Sequence, residues 1–305
     1  MAPRRRKDAV PPDAPALFEL TPVVPSTEPQ VAAIEHALWT ESKARLIARY
    51  LYYFVFVTKH GTYIDAFAGP QRPSRPDMWA AKLVLANEPR WLRHFFLFEQ
   101  RKKSCELLEA LKAEQPARKK GDAVRDITIY PGNSNEEVRK LLALGSISLK
   151  DATFCLLDQR TFECEWATVE ALARYKPAAP RIELFYFFAS GWLDRAIANQ
   201  KRTSVLDAWW GRSDWNTLRG LSNFDRVQTV CDRFRNEFGY ASVKAWPIQR
   251  RLHQGRVLYH MVHATDHREA PILMSRAYRK AVTPAEPLEQ MKLEIQEELR
   301  RELSC

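Results

Sequence analysis

Four polar side chains and one small-residue turn carry the chemistry this chain can offer: Asp65, the turn Phe67-Ala68-Gly69-Pro70, Glu99, Asn133 and Asp158. Each lies at or just beyond the end of a short run of β-branched or aromatic residues, such as Thr62-Tyr63-Ile64 and His94-Phe95-Phe96-Leu97-Phe98. A strand that ends in Ala-Gly brings bare backbone N–H groups close to whatever occupies the space beyond it. With the Asp65 carboxylate beside that gap, the turn suits a ligand bearing hydroxyls or an ammonium group, although strands also end in Gly-Pro with no ligand at all. An acidic residue at the end of a second strand, as Glu99 is, takes ribose hydroxyls in doubly wound nucleoside-binding folds; a helix N-terminal Glu stabilised by the dipole is the plainer alternative. Asn133 could present its amide to an adenine edge or serve as a turn residue. Asp158 could accept a proton from a nucleophile or cap a helix.

These residues need a frame that brings strand ends together. Five runs read as strands: Thr62–Phe67, His94–Phe98, Ile127–Tyr130, Ala152–Leu157 and Ile182–Phe188. Between them lie helical patterns, one through Leu83 and Leu85 capped by Asp77, one from Lys102 to Gln115, one from Asn135 to Leu144 capped by Ser134, and one through Trp166 and Leu172. Alternation of this kind predicts an α/β fold, a doubly wound, Rossmann-like parallel sheet. One or two helices precede it up to about Val57, with Lys43 facing either the ligand cleft or solvent. Residues 1–30, rich in Pro and Arg, read as a disordered leader, and 31–199 as the core with its N-terminal helices. The tryptophan-rich segment 200–243 reads as a helical insertion that caps the sheet's carboxyl side. Residues 244–283 return to the core as two late strands, an antiparallel pair, and a helix; 284–305 form a charged terminal helix.

At 305 residues and 46% hydrophobic, the chain can bury one large core, or one core and an inserted lobe. A net charge of +10 favours anionic partners. The excess gathers in Arg4-Arg5-Arg6-Lys7, Arg101-Lys102-Lys103, Arg118-Lys119-Lys120 and Arg250-Arg251, which serve either as solvated faces or as a nucleic-acid groove. The five cysteines are widely spaced without a C-x-x-C, so reduced thiols in a cytoplasmic protein are expected. There is no apolar run of membrane-spanning length and no signal-peptide core, which argues against a membrane location. His260 and His263 would fall on opposite faces of one strand, an arrangement that does not make a metal site with His267. Neither a G-x-S-x-G elbow nor a Walker loop is present.

Four blocks extend the pattern: Trp39-Thr40-x-x-Lys43, Tyr63-Ile64-Asp65-Ala66-Phe67-Ala68-Gly69-Pro70, Phe98-Glu99, and Cys164-Glu165-Trp166-Ala167-Thr168 followed by Gly191-Trp192-Leu193. On these residues the chain resembles class I S-adenosylmethionine-dependent methyltransferases and, more narrowly, the three-Cys-motif partner (TcmP) family, from about Trp39 to Val282. The resemblance implies a methyltransferase sheet binding S-adenosyl-L-methionine. Asp65 and the backbone of Phe67, Ala68, Gly69 and Pro70 would hold the methionine moiety, Glu99 the ribose and Asn133 the adenine, with Asp158 at the catalytic mouth. The sequence departs from the family at Gly69-Pro70-Gln71, where Gly-Pro-Gly is usual, and at Asp158-Gln159-Arg160-Thr161, where Asp-Pro-aromatic-Gly is usual. The alternative implied by those departures is a catalytically degenerate methyltransferase fold that binds a three-cysteine-motif, radical-SAM-like protein.

Overall fold

Along each parallel strand, successive side chains point to opposite faces, and here both faces are apolar. In the computed structural model, which describes residues 30–31, 42–249, 257–281 and 288–303, that pattern yields a sheet buried on both sides. The strands are β1 (Gln30–Val31), β2 (Thr62–Asp65), β3 (His94–Glu99), β4 (Asp126–Pro131), β5 (Thr153–Leu157), β6 (Glu183–Phe188), β7 (Ser242–Gln249) and β8 (Val257–Thr265). Tyr63, Phe95, Leu97, Phe154 and Phe185 face one core, while Ile64, Phe96, Phe98, Leu157 and Tyr186 face the other. The first core is covered by α1 (Lys43–Thr58), α2 (Ala80–Leu85), α3 (Lys102–Ala113), α9 (Ala270–Lys280) and α10 (Leu288–Leu303). The second is covered by α4 (Ser134–Ala143), α5 (Trp166–Arg174), α6 (Leu193–Asn199), α7 (Thr203–Trp210) and α8 (Asn223–Phe238).

The sheet order is β1-β7-β8-β6-β5-β2-β3-β4. All neighbours are parallel except at β8, which runs antiparallel to both β6 and β7. β2 pairs with β3 on one side and β5 on the other, so the winding direction reverses at β2. The expected antiparallel pairing of the two late strands is present. Among the described residues, no helix is long and apolar enough to cross a membrane. The expected leader (but for Gln30), the Trp39 and Thr40 of the first block, Arg250-Arg251 and Cys305 lie outside the described residues.

Three local expectations change. Asp77 does not cap α2: it sits in the short 3₁₀ turn Pro76–Met78 and is forked by Arg75 at 2.9 and 2.8 Å. The cap of α4 is Asn133, whose Oδ1 accepts the Asn135 N–H at 2.9 Å, and Ser134 is the first helical residue. The helical segment 200–243 divides. Its first part, α7, borders the cleft described below, but α8 packs Val227, Val230, Phe234 and Phe238 into the second core and belongs to the sheet's own layer. Helical periodicity alone does not distinguish a cap from a layer helix, because both bury one apolar stripe.

One polar cluster sits inside the first core. Glu183, at the start of β6, is 1% exposed and accepts from His263 Nε2 at 2.8 Å, from Thr265 Oγ1 at 3.0 Å, and from the Tyr50 hydroxyl. Burial pushes the Glu183 carboxyl up, but the charge and hydrogen bond of His263 outweigh it and hold the carboxyl below its ordinary range. A carboxyl depressed in the fold contributes stability above its unfolded pKa and loses it as pH falls through the folded value. Glu183→Gln is therefore expected to lower unfolding free energy by about 3 kcal/mol near neutral pH, the scale for breaking a buried charged cluster. Chemical denaturation should also show the mutant's deficit shrinking toward acid pH; a constant deficit would contradict the charged role of Glu183.

Candidate functional site

Where the winding reverses at β2, the carboxyl ends of β2, β3, β4 and β5 open into a cleft of about 830 Å³. That is the expected place for a ligand in an open α/β sheet, and the size suits a small-molecule site. Of the residues singled out in the sequence, Phe67, Gly69, Glu99, Asn133 and Asp158 line it. Ala68 and Pro70 lie just behind the wall: the Ala68 N–H bonds to Phe98 O at 2.8 Å, its carbonyl accepts Trp79 Nε1 at 2.6 Å, and Pro70 is buried.

The turn after β2 must be glycine for a local reason. A Cβ built on Gly69 would stand 1.9 Å from Glu99 Oε2 and 2.8 Å from Ser104 Cβ, so the Glu99 carboxylate fills the space that any side chain at position 69 would need. Glu99 is 7% exposed. Its Oε1 accepts from the Arg101 backbone N–H at 2.7 Å and from Arg101 Nε at 3.1 Å, while Arg101 Nη2 stands 3.3 Å from Oε2 and 3.4 Å from the Pro70 carbonyl. The guanidinium is half exposed, so it can move aside while the backbone bond continues to orient the carboxylate.

Asp65 does not reach the cleft. It is 1% exposed, accepts the Tyr63 hydroxyl at 2.8 Å and closes the turn by accepting the Phe67 N–H at 3.1 Å. Its role is to shape the turn, a correction to the expected contact with a ligand's charged end. Burial raises its carboxyl to about 7 against the lowering effect of those two hydrogen bonds. Asn133 lines the cleft with Oδ1 engaged in the cap of α4, which leaves its Nδ2 donors for a ligand.

At the other end of the cleft the structure resolves the alternatives left open for Lys43. It is buried, and Nζ lies 2.6 Å from both Oδ1 and Oδ2 of Asp158. The rings of Phe187 and Tyr259 stand 5.8 and 5.6 Å from that ammonium. Gln71 Nε2 donates to Asp158 Oδ2 at 3.4 Å. Sequence periodicity carried a signal here: Lys43 shares the i, i+3, i+4, i+7 stripe of Leu46, Ile47 and Tyr50, all buried.

Two further residues were not legible as site residues. Gln159 is 1% exposed, donates to Phe187 O at 3.3 Å and accepts the Cys164 N–H at 2.8 Å. Asn135, on α4, donates to Glu163 O and accepts from Glu165 N and Thr168 Oγ1, at 2.8, 2.9 and 3.0 Å. Together they fix the loop between β5 and α5 from inside. Arg160 on that loop and Arg202 before α7 also line the cleft.

No family model and no curated protein matches the chain. A crystal structure of protein LPL1258 from Legionella pneumophila str. Philadelphia 1, assigned to the family model DUF519, is similar over 82% of this chain and 96% of that one, at 11% identity and a TM-score of 0.42. A similarity of that size carries no conclusion about activity.

Two outcomes are expected from the site's electrostatics. Lys43→Ala leaves a nearly buried carboxylate without its cation and should cost about 3 kcal/mol, whereas Lys43→Ala combined with Asp158→Ala should cost clearly less than the two single changes summed. Additivity within about 0.5 kcal/mol in that cycle would mean the pair is not coupled. For Asp65, a folded carboxyl raised to about 7 from 3.8 means the native state binds the extra proton, so stability falls as pH rises through that window and is level above it. Asp65→Asn should remove this slope, read as the difference between mutant and wild-type urea midpoints across the window; an unchanged difference would contradict the raised value.

Proposed function

We propose that the chain is a TcmP-like, S-adenosyl-L-methionine-dependent methyltransferase of the class I, doubly wound type. The observation that carries the reading is the contact between Gly69 and Glu99: a glycine turn after one parallel strand meets a strand-end carboxylate of the next, on the wall of a cleft at the winding reversal. The sheet order, with β8 alone reversed between β6 and β7, supports the same architecture.

The residues present fit a nucleoside cofactor at the Gly69–Glu99 end. Glu99 Oε2 retains lone pairs for a ribose hydroxyl, and the absence of a side chain at Gly69 leaves room for that carboxylate beside the turn. Bound there, the cofactor supplies a methyl group already activated on a sulfonium, so the protein's share is orientation and exclusion of water. Phe67 and Phe162 give the cleft apolar surface, and Asp158, held by Lys43, stands where an acceptor's proton could be taken.

A second reading has its own observation. Both oxygens of Asp158 are engaged by Lys43, and Gln159 is built into the loop where the family has proline. A carboxylate with both oxygens committed to that ion pair is occupied by the fold itself, which favours a methyltransferase fold kept as a binding partner for a three-cysteine-motif protein.

Calorimetric titration with S-adenosylmethionine and S-adenosylhomocysteine tests the first reading. Wild-type protein should bind both, and Glu99→Gln should weaken binding by about 1–3 kcal/mol, the range for a charge-assisted hydrogen bond. Binding by neither compound would remove the methyltransferase reading. If binding holds, transfer of labelled methyl groups into a cell extract by wild-type protein, lost in Asp158→Ala with cofactor affinity retained, separates enzyme from scaffold.

A further inference from the structure

The opposite, amino-terminal edge of the sheet carries a second cleft, of about 420 Å³, beside the starts of β3 and β4. Arg90, Lys112, Arg118 and Arg125 line it. Arg90 is 7% exposed. Its Nη1 donates to Pro116 O at 2.8 Å and its Nη2 to Gln115 Oε1 at 3.3 Å. Arg125 Nη1 donates to Leu85 O at 2.9 Å and to the same Gln115 Oε1 at 3.2 Å, with its guanidinium 4.4 Å from the Phe95 ring centre. One neutral amide oxygen thus serves two guanidiniums.

The compensation is incomplete. The Nε atoms of both Arg90 and Arg125 are buried without an acceptor. The nearby acids offer the guanidiniums little: Asp122 Oδ2 is 3.9 Å from Arg90 Nη1 and accepts the Lys119 N–H at 2.9 Å, its carbonyl accepts from Arg118 Nε at 3.0 Å, and Asp126, on the rim, stands 4.0 Å from His94. A guanidinium has five N–H donors in a planar fork, and leaving them desolvated and unpaired is costly. Burial, and then the charge of Arg90, lowers the Arg125 guanidinium to about 10. Four cationic side chains around one cavity suit an anion with several acceptor oxygens.

We propose that this cleft is a binding site for a dianionic phosphate group, carried as free phosphate or as a small phosphate monoester. A tetrahedral dianion offers enough oxygens to meet Arg90 and Arg125 at the base and Lys112 and Arg118 at the mouth, and bidentate guanidinium pairing favours phosphate over a monovalent halide. The site is separate from the carboxyl-edge cleft and does not depend on the activity proposed for it.

The test is titration of the full-length protein with inorganic phosphate and with glycerol phosphate at constant ionic strength, followed by calorimetry and by thermal unfolding. Saturable one-to-one binding and a raised melting temperature are expected, with chloride at matched ionic strength giving neither. Phosphate binding alone would mark a site for the free ion, and binding of both a site for the monoester, either outcome supporting the proposal. Lys112→Gln and Arg118→Gln alter exposed side chains and should weaken binding about tenfold or more while leaving S-adenosylhomocysteine affinity as in wild type. Arg125→Lys keeps the charge, loses the fork and should weaken binding as well. No saturable binding, equal binding in all three variants, or binding of a phosphodiester oligonucleotide without binding of phosphate would overturn the proposal.

Discussion

The ion pair between Lys43 and Asp158 is the interaction on which the cleft's geometry turns. Two nearly buried charges stand 2.6 Å apart, and neither would be tolerated there alone. Lys43 is the first residue of α1, where a cation opposes the helix dipole, so the carboxylate offsets two costs at once: desolvation of the ammonium and its unfavourable place on the helix. The pair also joins elements far apart in the chain. It fixes the start of the first long helix to the end of β5, with Phe187 of β6 and Tyr259 of β8 packed around the ammonium. Four elements of the fold therefore meet at one charge pair.

At the other end of the cleft the constraint is steric. Gly69 and Glu99 interlock, and the Arg101 backbone N–H holds the carboxylate in register. Between these two ends the floor is set by side chains that bond to backbone: Asn135 and Gln159 fix the loop after β5 from below. The cleft's polar groups are for the most part oriented by partners other than solvent, which is the condition for presenting them to a ligand at low entropic cost.

The sheet and most of the helix sequence were legible because burial on both faces writes itself as continuous apolar runs separated by helical periodicity. Glu99 and Gly69 were legible for the same reason: a polar or small residue closing such a run must sit at the strand's end. Asp65 was placed correctly at its strand end, but which way its carboxylate turns depends on the Tyr63 hydroxyl beneath it, and sequence spacing does not encode that. The cap of α4 fell one residue earlier than read, because Asn and Ser are both good caps and adjacent. α8 was legible as a helix and not as a layer, since its position is decided by the strands it packs on. Asn135 and Gln159 had no sequence signature: amides that bond to loop backbone look like any surface amide until the loop is in place.

The edge of the sheet carries a consequence for how the chain assembles. β1 pairs in parallel with β7, joining Gln30 to Lys244, so the earliest described strand completes the sheet only beside one of the latest. β2 likewise has its second neighbour, β5, only after two intervening strands have been made. Pairings of such long sequence separation slow folding, because loop closure is unfavourable until the strands meet. During synthesis β2 and β3 can pair early, but the cleft has no second wall until β5 emerges, and β1 finds its partner only once Ser242–Gln249 has been made. Until β8 is made, the free edge of β6 presents open hydrogen-bonding groups, and the interval exposes the nascent protein to pairing with another chain.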